Sequence, residues 1–311
     1  MAAKNKYKDS FAKRVRIDWR RNKSIYLMLI PIIAFYIIFR YFPMGGATIA
    51  FQDYIPAKGI SGSQWVGFQH FIDFFTSRKF GEVLRNTLVI SISSIIFCFP
   101  APIILALLMN ELRSKIFTRT VQTVTYLPHF ISLVVICGLI KEFTANTGFI
   151  SSIVALFGGT PSTMLNNPKL FVPIYIISEI WQTAGWGSII YLAALTGVDQ
   201  QLYEAAMVDG AGRWKQTLHV TLPCIMPTVV IMLILKIGNV LNVGYEKIIL
   251  LYNPLTYQSA DVISTYVYRE GLINQDYSYS TAVGLFNSIV NFLLLISANY
   301  ISKRYTDTSL F

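Results

Sequence analysis

Charge is scarce in this chain. Charged residues make up 14% of its 311 positions, against about 25% in a soluble domain, while 54% are apolar. With 26 Lys and Arg and 16 Asp and Glu, the chain cannot cover the surface of a soluble fold of this length, which argues against one or two soluble globular domains. The apolar richness excludes a disordered chain as well. Cysteine is nearly missing. Cys98, Cys137 and Cys224 form an odd set without paired spacing, each in or beside an apolar run, so neither a disulfide framework nor a metal site is expected. The three histidines, His70, His129 and His219, lack ligand spacing. No Gly-x-x-x-x-Gly-Lys run is present to cradle a nucleotide, and no catalytic constellation appears. A net charge of +10 raises nucleic acid as a partner, but nine of the 26 basic residues precede residue 24 instead of spreading along a face, so nucleic-acid binding is set aside.

What the chain does have is long uncharged stretches. A membrane-crossing helix needs about 20 mostly apolar residues. Six segments qualify: Ser24 to Phe39, extended to Phe42; Asn86 to Asn110; Thr120 to Ile140; Ile180 to Val198, starting near Leu170 and tolerating Glu179; Ile225 to about Tyr245; and Thr281 to Ile301. They are too long, and alternate too little, to be strands of a barrel. The expectation is an all-α membrane protein with six transmembrane helices: a basic arm at 1–23, a six-span domain at 24–302 and a tail at 303–311.

Even parity puts both termini on one side, and Lys and Arg decide which. The arm (Lys4, Lys6, Lys8, Lys13, Arg14, Arg16, Arg20, Arg21, Lys23), the loops carrying Arg113, Lys115, Arg119, Arg213 and Lys215, and the tail with Lys303 and Arg304 hold sixteen. The alternate loops hold seven: Lys58, Arg78, Lys79, Lys141, Lys169, Lys247 and Arg269. The richer side is expected to be cytoplasmic, with both termini inside. No small-residue cleavage site follows the first segment, so it reads as an uncleaved anchor. The basic arm also suits an anionic lipid leaflet. On the outside, Trp65, Phe68, Phe71, Phe74 and Phe75 suggest an amphipathic helix along the membrane surface or an aromatic belt.

The informative loop lies between the fourth and fifth segments, at about 200–223. It runs from Tyr203 through Glu204, Ala205, Ala206, Met207, Val208, Asp209, Gly210, Ala211 and Gly212 to Trp214, with Leu222-Pro223 beyond. Residues 200–209 favour helix, with Glu204 placed early for the helix dipole. Gly210 and Gly212 break it, a second short helix starts near Trp214, and Pro223 is expected to end that helix. The small alanines allow close approach by a partner, and Leu202, Trp214 and Leu218 offer anchors.

Glu-Ala-Ala, Asp-Gly-Ala and Leu-Pro at this spacing resemble the cytoplasmic EAA loop of permease subunits of binding-protein-dependent ABC importers. Six spans with that loop before the fifth are similar to the carbohydrate branch, the maltose and glycerol-phosphate permeases. Trp65-Val66-Gly67-Phe68, Asn86-Thr87, Tyr126-Leu127-Pro128, Tyr41-Phe42-Pro43 and Phe51-Gln52-Asp53-Tyr54 extend the likeness, the last two toward permeases for oligosaccharides and uronic-acid sugars. The resemblance implies a type I importer permease fold. It also implies a coupling helix in which Glu204, Ala205, Ala206, Asp209, Gly210 and Ala211 dock on an ATPase subunit that binds ATP and magnesium, with no cofactor on this chain. The implied partners are a second homologous permease, an ATPase dimer, an extracellular binding protein and an oligosaccharide. Leu218 and Val220 stand where the family often has Phe and Ile.

Polar residues inside a bilayer are costly and mark pathways. Lys236, Asn239, Asn242 and Tyr245, three apart, are expected on one helix face, where Asn239 and Asn242, together with Asn287 and Asn291 of the sixth segment, would line a sugar cavity. Trp181, Gln182 and Trp186 are weaker candidates, and helix-to-helix bonding is the alternative role for each. Lys236 would either attract a carboxylated sugar or pair with Glu179. The competing reading is an ion-coupled secondary sugar carrier complete in one chain, which would want paired acids or broken helices at mid-membrane. The sequence suggests neither.

Overall fold

The computed structural model describes residues 11–306 and 308–310, with side chains from residue 18 onward. Lys4, Lys6 and Lys8 of the basic arm lie outside the described residues. α1 (Phe11–Tyr36) continues through a π turn and a 3-10 turn to Phe51. A two-residue antiparallel ribbon follows, β1 (Gln52–Asp53) against β2 (Gln64–Trp65). α2 (Gln69–Thr76) leads into α3 (Arg78–Asn110), then α4 (Lys115–Phe130), α5 (Leu133–Phe143), α6 (Phe149–Leu156) and α7 (Pro168–Thr196). α8 (Gln200–Val208) precedes α9 (Arg213–Ile237), the short helices α10 (Tyr245–Leu251), α11 (Tyr257–Ala260) and α12 (Ile263–Tyr268), and α13 (Tyr277–Thr306).

The expected six spans resolve differently. Among the described residues, four helices are long and apolar enough to cross a membrane: Asp18–Phe51, α3, α9 and α13. α4 and α5 make a fifth only as a pair, bent by 98°. The bend falls where Pro128 removes a donor; the chain tightens into a 3-10 turn at Leu127–Phe130, and Ile131 is extended. α7 has the length, at 29 residues, but Glu179, Gln182 and two tryptophans keep it from that apolar set.

Three of the prolines inside these rods share one device that keeps the helix running. A proline ring clashes with the carbonyl four residues back. Ahead of each lies a π turn: Ile37–Tyr41 before Pro43, Ser94–Cys98 before Pro100, and Thr217–Thr221 before Pro223. Phe42, Phe99 and Leu222 donate five residues back, to Ile37, Ser94 and Thr217. The widened turn makes room for the ring. The expected stop at Pro223 therefore does not occur, and α9 runs straight through it.

The fifth segment ends sooner than expected. α9 stops at Ile237, and residues 238–244 are unwound. Backbone groups freed inside a membrane protein need new partners. Neighbouring side chains supply them: Leu241 N donates to Asn291 Oδ1 at 3.0 Å, and Ser91 Oγ donates to the Val240 carbonyl. Asn239 Nδ2 turns back to the Leu235 carbonyl at 3.1 Å and caps α9.

Buried cores sit at three levels. Near the loop end, Ile103, Ala106, Tyr191, Leu195 and Ile225 join α3, α7 and α9. In the middle, Ile90, Cys98, Cys137, Phe171 and Tyr175 pack with Ile248 and Val262. At the far end, Phe74 packs with Val83, Ile263, Tyr266 and Val283. Cys98 and Cys137 are buried as expected, while Cys224 is exposed. Gly185 lets α7 cross α4 closely: a Cβ there would lie 2.0 Å from the Thr125 carbonyl oxygen. The expected aromatic surface helix is only partly that. Phe74 is fully buried against Tyr266, Tyr279 and Phe286, whereas Trp65 and Phe68 remain exposed around Phe51.

At the far end, α10–α12 are clamped to α3. Asn86 Nδ2 donates to the Asp261 carbonyl at 3.0 Å, and Ile263 N donates to Thr87 Oγ1 at 2.9 Å. Arg269 holds Asp261 bidentately at 3.1 and 2.6 Å, and its guanidinium lies over the rings of Tyr257 and Tyr266. The Asp261 hydrogen bond pushes the Arg269 pKa up.

Candidate functional site: an exposed loop and a polar cavity joined by two helices

α8 begins at Asp199, whose side chain accepts from Gln201 N at 2.9 Å. This N-cap was missed in the sequence, although Asp at such a position is a strong signal. Glu204 lies mid-helix, so the dipole argument made for it does not apply; Asp199 does the capping. The helix closes with a paired reverse bond: Ala211 N donates to the Ala206 carbonyl at 2.9 Å, and Gly210 N to that of Met207 at 3.0 Å. This termination requires a left-handed residue, and Gly210 has φ +73. Gly212, by contrast, is extended and starts α9. Gln216 Nε2 donates to the Ala211 carbonyl at 2.7 Å, and Tyr203 shares a 2.9 Å hydrogen bond with Thr221. The bend is thus pinned to its own bundle from inside. Its outer side is apolar: Val208 is 89% exposed and Trp214 74%. Glu204, Ala205, Asp209 and Gly210 are exposed beside them, with Ala206 and Ala211 half-buried.

The cavity lies at the other end of the same helices and measures about 460 Å³. Ser91 and Ser94 of α3, His129, Tyr175, Glu179, Gln182 and Thr183 of α7, Lys236 of α9, Asn239 and Asn242 of the unwound stretch, and Glu246 and Lys247 of α10 all line it. Glu179 stands 17 residues before the loop end of α7, about 26 Å away by helical rise.

The candidates named from the sequence divide. Gln182, Asn239 and Asn242 face the cavity. Asn239 and Asn242 do so from an irregular segment, not from one helix face. Asn287 and Asn291 are buried behind it; Asn287 Nδ2 donates to Asn242 Oδ1 at 2.7 Å, and Asn291 accepts from Leu241. Trp181 and Trp186 lie outside the lining, but Trp186 stacks on His129 with ring centroids 4.7 Å apart. The pairing considered for Lys236 goes elsewhere. Lys247, assigned to an outer loop from the sequence, is 3% exposed and binds Glu179 at 2.8 Å, with Gln182 Oε1 at 3.4 Å and the Tyr175 ring 5.2 Å away. The sequence signal for Lys247 was present: it opens the apolar run Lys247–Leu251, where a lone cation needs a partner.

An exposed bend joined by two long helices to a polar cavity, in a chain with several membrane-length apolar helices, fits a multi-span transport subunit. Residues 98–307 match the family described as "binding-protein-dependent transport system inner membrane component", and the chain belongs to that family. It is a permease subunit of a binding-protein-dependent ABC importer, a multi-pass protein of the inner membrane. Protein LplB of Bacillus subtilis (strain 168) is 45% identical over 300 residues, covering 95% of this chain and 94% of its own length. The polygalacturonan/rhamnogalacturonan transport system permease protein YteP of the same strain is 45% identical over 306 residues, covering 98% and 95%. Among solved structures, a chain of a bacterial alginate ABC transporter, in complex with an alginate pentasaccharide-bound periplasmic protein, superposes with a TM-score of 0.88 at 44% identity, over 96% of this chain and all of that one. The importer reading made from the Glu204–Ala211 loop is borne out, and the self-contained secondary carrier is set aside. The chain is nevertheless unwound at 238–244, where α9 ends.

Proposed function

We propose that this chain is one half of the membrane pathway of an ATP-driven importer for acidic oligosaccharides, working by alternating access. One observation carries the mechanical part. α7 and α9, which flank the exposed bend, also hold Glu179, Gln182 and Lys236 at the cavity, so displacement of the bend moves the cavity wall. Glu204, Ala205, Ala206, Asp209, Gly210 and Ala211 dock on a separate ATPase subunit, with Val208 and Trp214 as apolar anchors. ATP and magnesium belong to that subunit. The fold is a type I importer permease with six spans, α7 and the bent α4–α5 pair supplying two of them. The N-terminal arm, the 200–223 loop and the tail lie on the cytoplasmic side, where Lys and Arg are richest.

A second homologous permease completes the pathway, and two ATPase subunits meet the two loops. An extracellular binding protein delivers the sugar to the face opposite. The relatives' polygalacturonan, rhamnogalacturonan and alginate substrates support a carboxylated sugar. Asn239, Asn242 and Gln182 bond its hydroxyls. Asn287 and Asn291 hold the unwound stretch, and Trp186 backs His129 as an aromatic wall. The test is co-purification from membranes followed by uptake of labelled oligogalacturonate. Val208→Glu combined with Trp214→Ala is expected to lose the ATPase subunit and all uptake. An ATPase that stays bound to this double variant, with uptake intact, overturns the docking assignment.

A further inference from the structure

The cavity holds two ammonium groups, and they are not equivalent. Lys247 is consumed by Glu179, Gln182 and the Tyr175 ring, and it is almost wholly buried. Lys236 stands in the last turn of α9, exposed to the cavity. Among the described residues no carboxylate lies within ion-pair distance of it. It is also the sole charged residue between Leu222 and Ile237 of α9. A cation retained in a span without a partner points to a charge that arrives from elsewhere. Among the described residues, Glu246 is the other unpaired charge on the wall, in the first turn of α10, across the unwound stretch from α9.

We infer that Lys236 is the carboxylate-reading residue of the pathway, and that Glu246 faces it as an acceptor for sugar hydroxyls. The inference rests on the acidic-oligosaccharide reading. A uronate unit has one ionised group and several hydroxyl donors. An ammonium on one wall and a carboxylate on another match both, and they fix which way the unit points. The Glu179–Lys247 pair adds no net charge to this balance. Its place is to hold α7 against α10. The C-terminal dipole of α9 also favours a cation at Lys236, so its fold role and its selectivity role are separable only by substrate.

The experiment uses the full transporter in proteoliposomes, this chain with its partner subunits and binding protein. Uptake of labelled trigalacturonate is compared with that of its methyl ester, which has the same shape without charge. In the wild type the acid is preferred. In Lys236→Gln the acid-to-ester uptake ratio falls on the order of tenfold, further in Lys236→Glu, and Lys236→Arg retains it. A wild type with no preference for the acid overturns the acidic-substrate reading and this inference with it. A wild-type preference that Lys236→Gln keeps unchanged overturns the inference alone. Equal loss of both substrates in Lys236→Gln and Lys236→Arg makes Lys236 a structural residue and overturns it likewise.

Discussion

The two interruptions that bound α9 behave in opposite ways. At 209–212 the chain leaves α8 and re-enters α9 with its terminal carbonyls satisfied by its own backbone, and it turns apolar side chains outward. At 238–244 the chain leaves α9 into the cavity, and side chains of α3 and α13 satisfy it. The first keeps its shape whatever surrounds it. The second depends on neighbouring helices, so it changes when they move. The difference assigns rigid transmission to one site and adaptable binding to the other. Two buried amide atoms near the second, Asn287 Oδ1 and Asn291 Nδ2, lack a partner among the described residues and fit that adaptability.

The comparison can be tested in order of expected effect. Lys247→Met strands Glu179 and is expected to cost about 3–5 kcal/mol, read as a large fall in thermal stability of the purified complex. Adding Glu179→Gln should recover most of that loss, and a double variant no better than the single one breaks the pairing argument. Gly210→Val forces a β-branched residue to positive φ and should cost about 1–3 kcal/mol locally. Its signature is sharper than its size: binding-protein-stimulated ATPase should drop while the unfolding temperature moves little. Asn291→Ala leaves Leu241 N unpaired, at about 1–3 kcal/mol, and should raise hydrogen exchange across 238–244 without affecting 209–212. Arg213→Ala removes a 3.6 Å pair with Glu111, both groups well exposed, and is expected to change stability by less than about 1 kcal/mol. A large effect there would mean that the bend is held from outside rather than by its own backbone.

The bend was legible in the sequence because its rules are local. The helix-favouring run at 200–208 and Gly210 act within a few residues of one another. Most spans were legible for the same reason. The cavity was less so. Asn239, Asn242 and Gln182 were found by their polarity, but the unwinding that presents the two asparagines depends on Ser91, Asn287 and Asn291, which lie far along the chain. Periodicity over 225–245 therefore read as one helix. The Lys247–Glu179 pair spans 68 positions, so the apolar run after Lys247 signals a need for a partner but nothing local names Glu179 as that partner. Pro223 misled because its rule assumes a strict α-helix, and the π turn ahead of it relaxes that assumption.

Each π turn has a rotational consequence. It adds one residue to a helix of 3.6 per turn, so everything beyond it is rephased by about 100°. In α3 the twelve residues from Ser91 to Ile103, and from Ser94 to Ala106, would turn about 120° in a regular helix; the extra residue cuts that to about 20°, so the polar pair at the cavity and the apolar pair in the core lie on nearly one face. That face is thereby wet at one depth and dry at another, and deleting a single residue at 94–98 would swing Ile103 and Ala106 about 100° out of the apolar core.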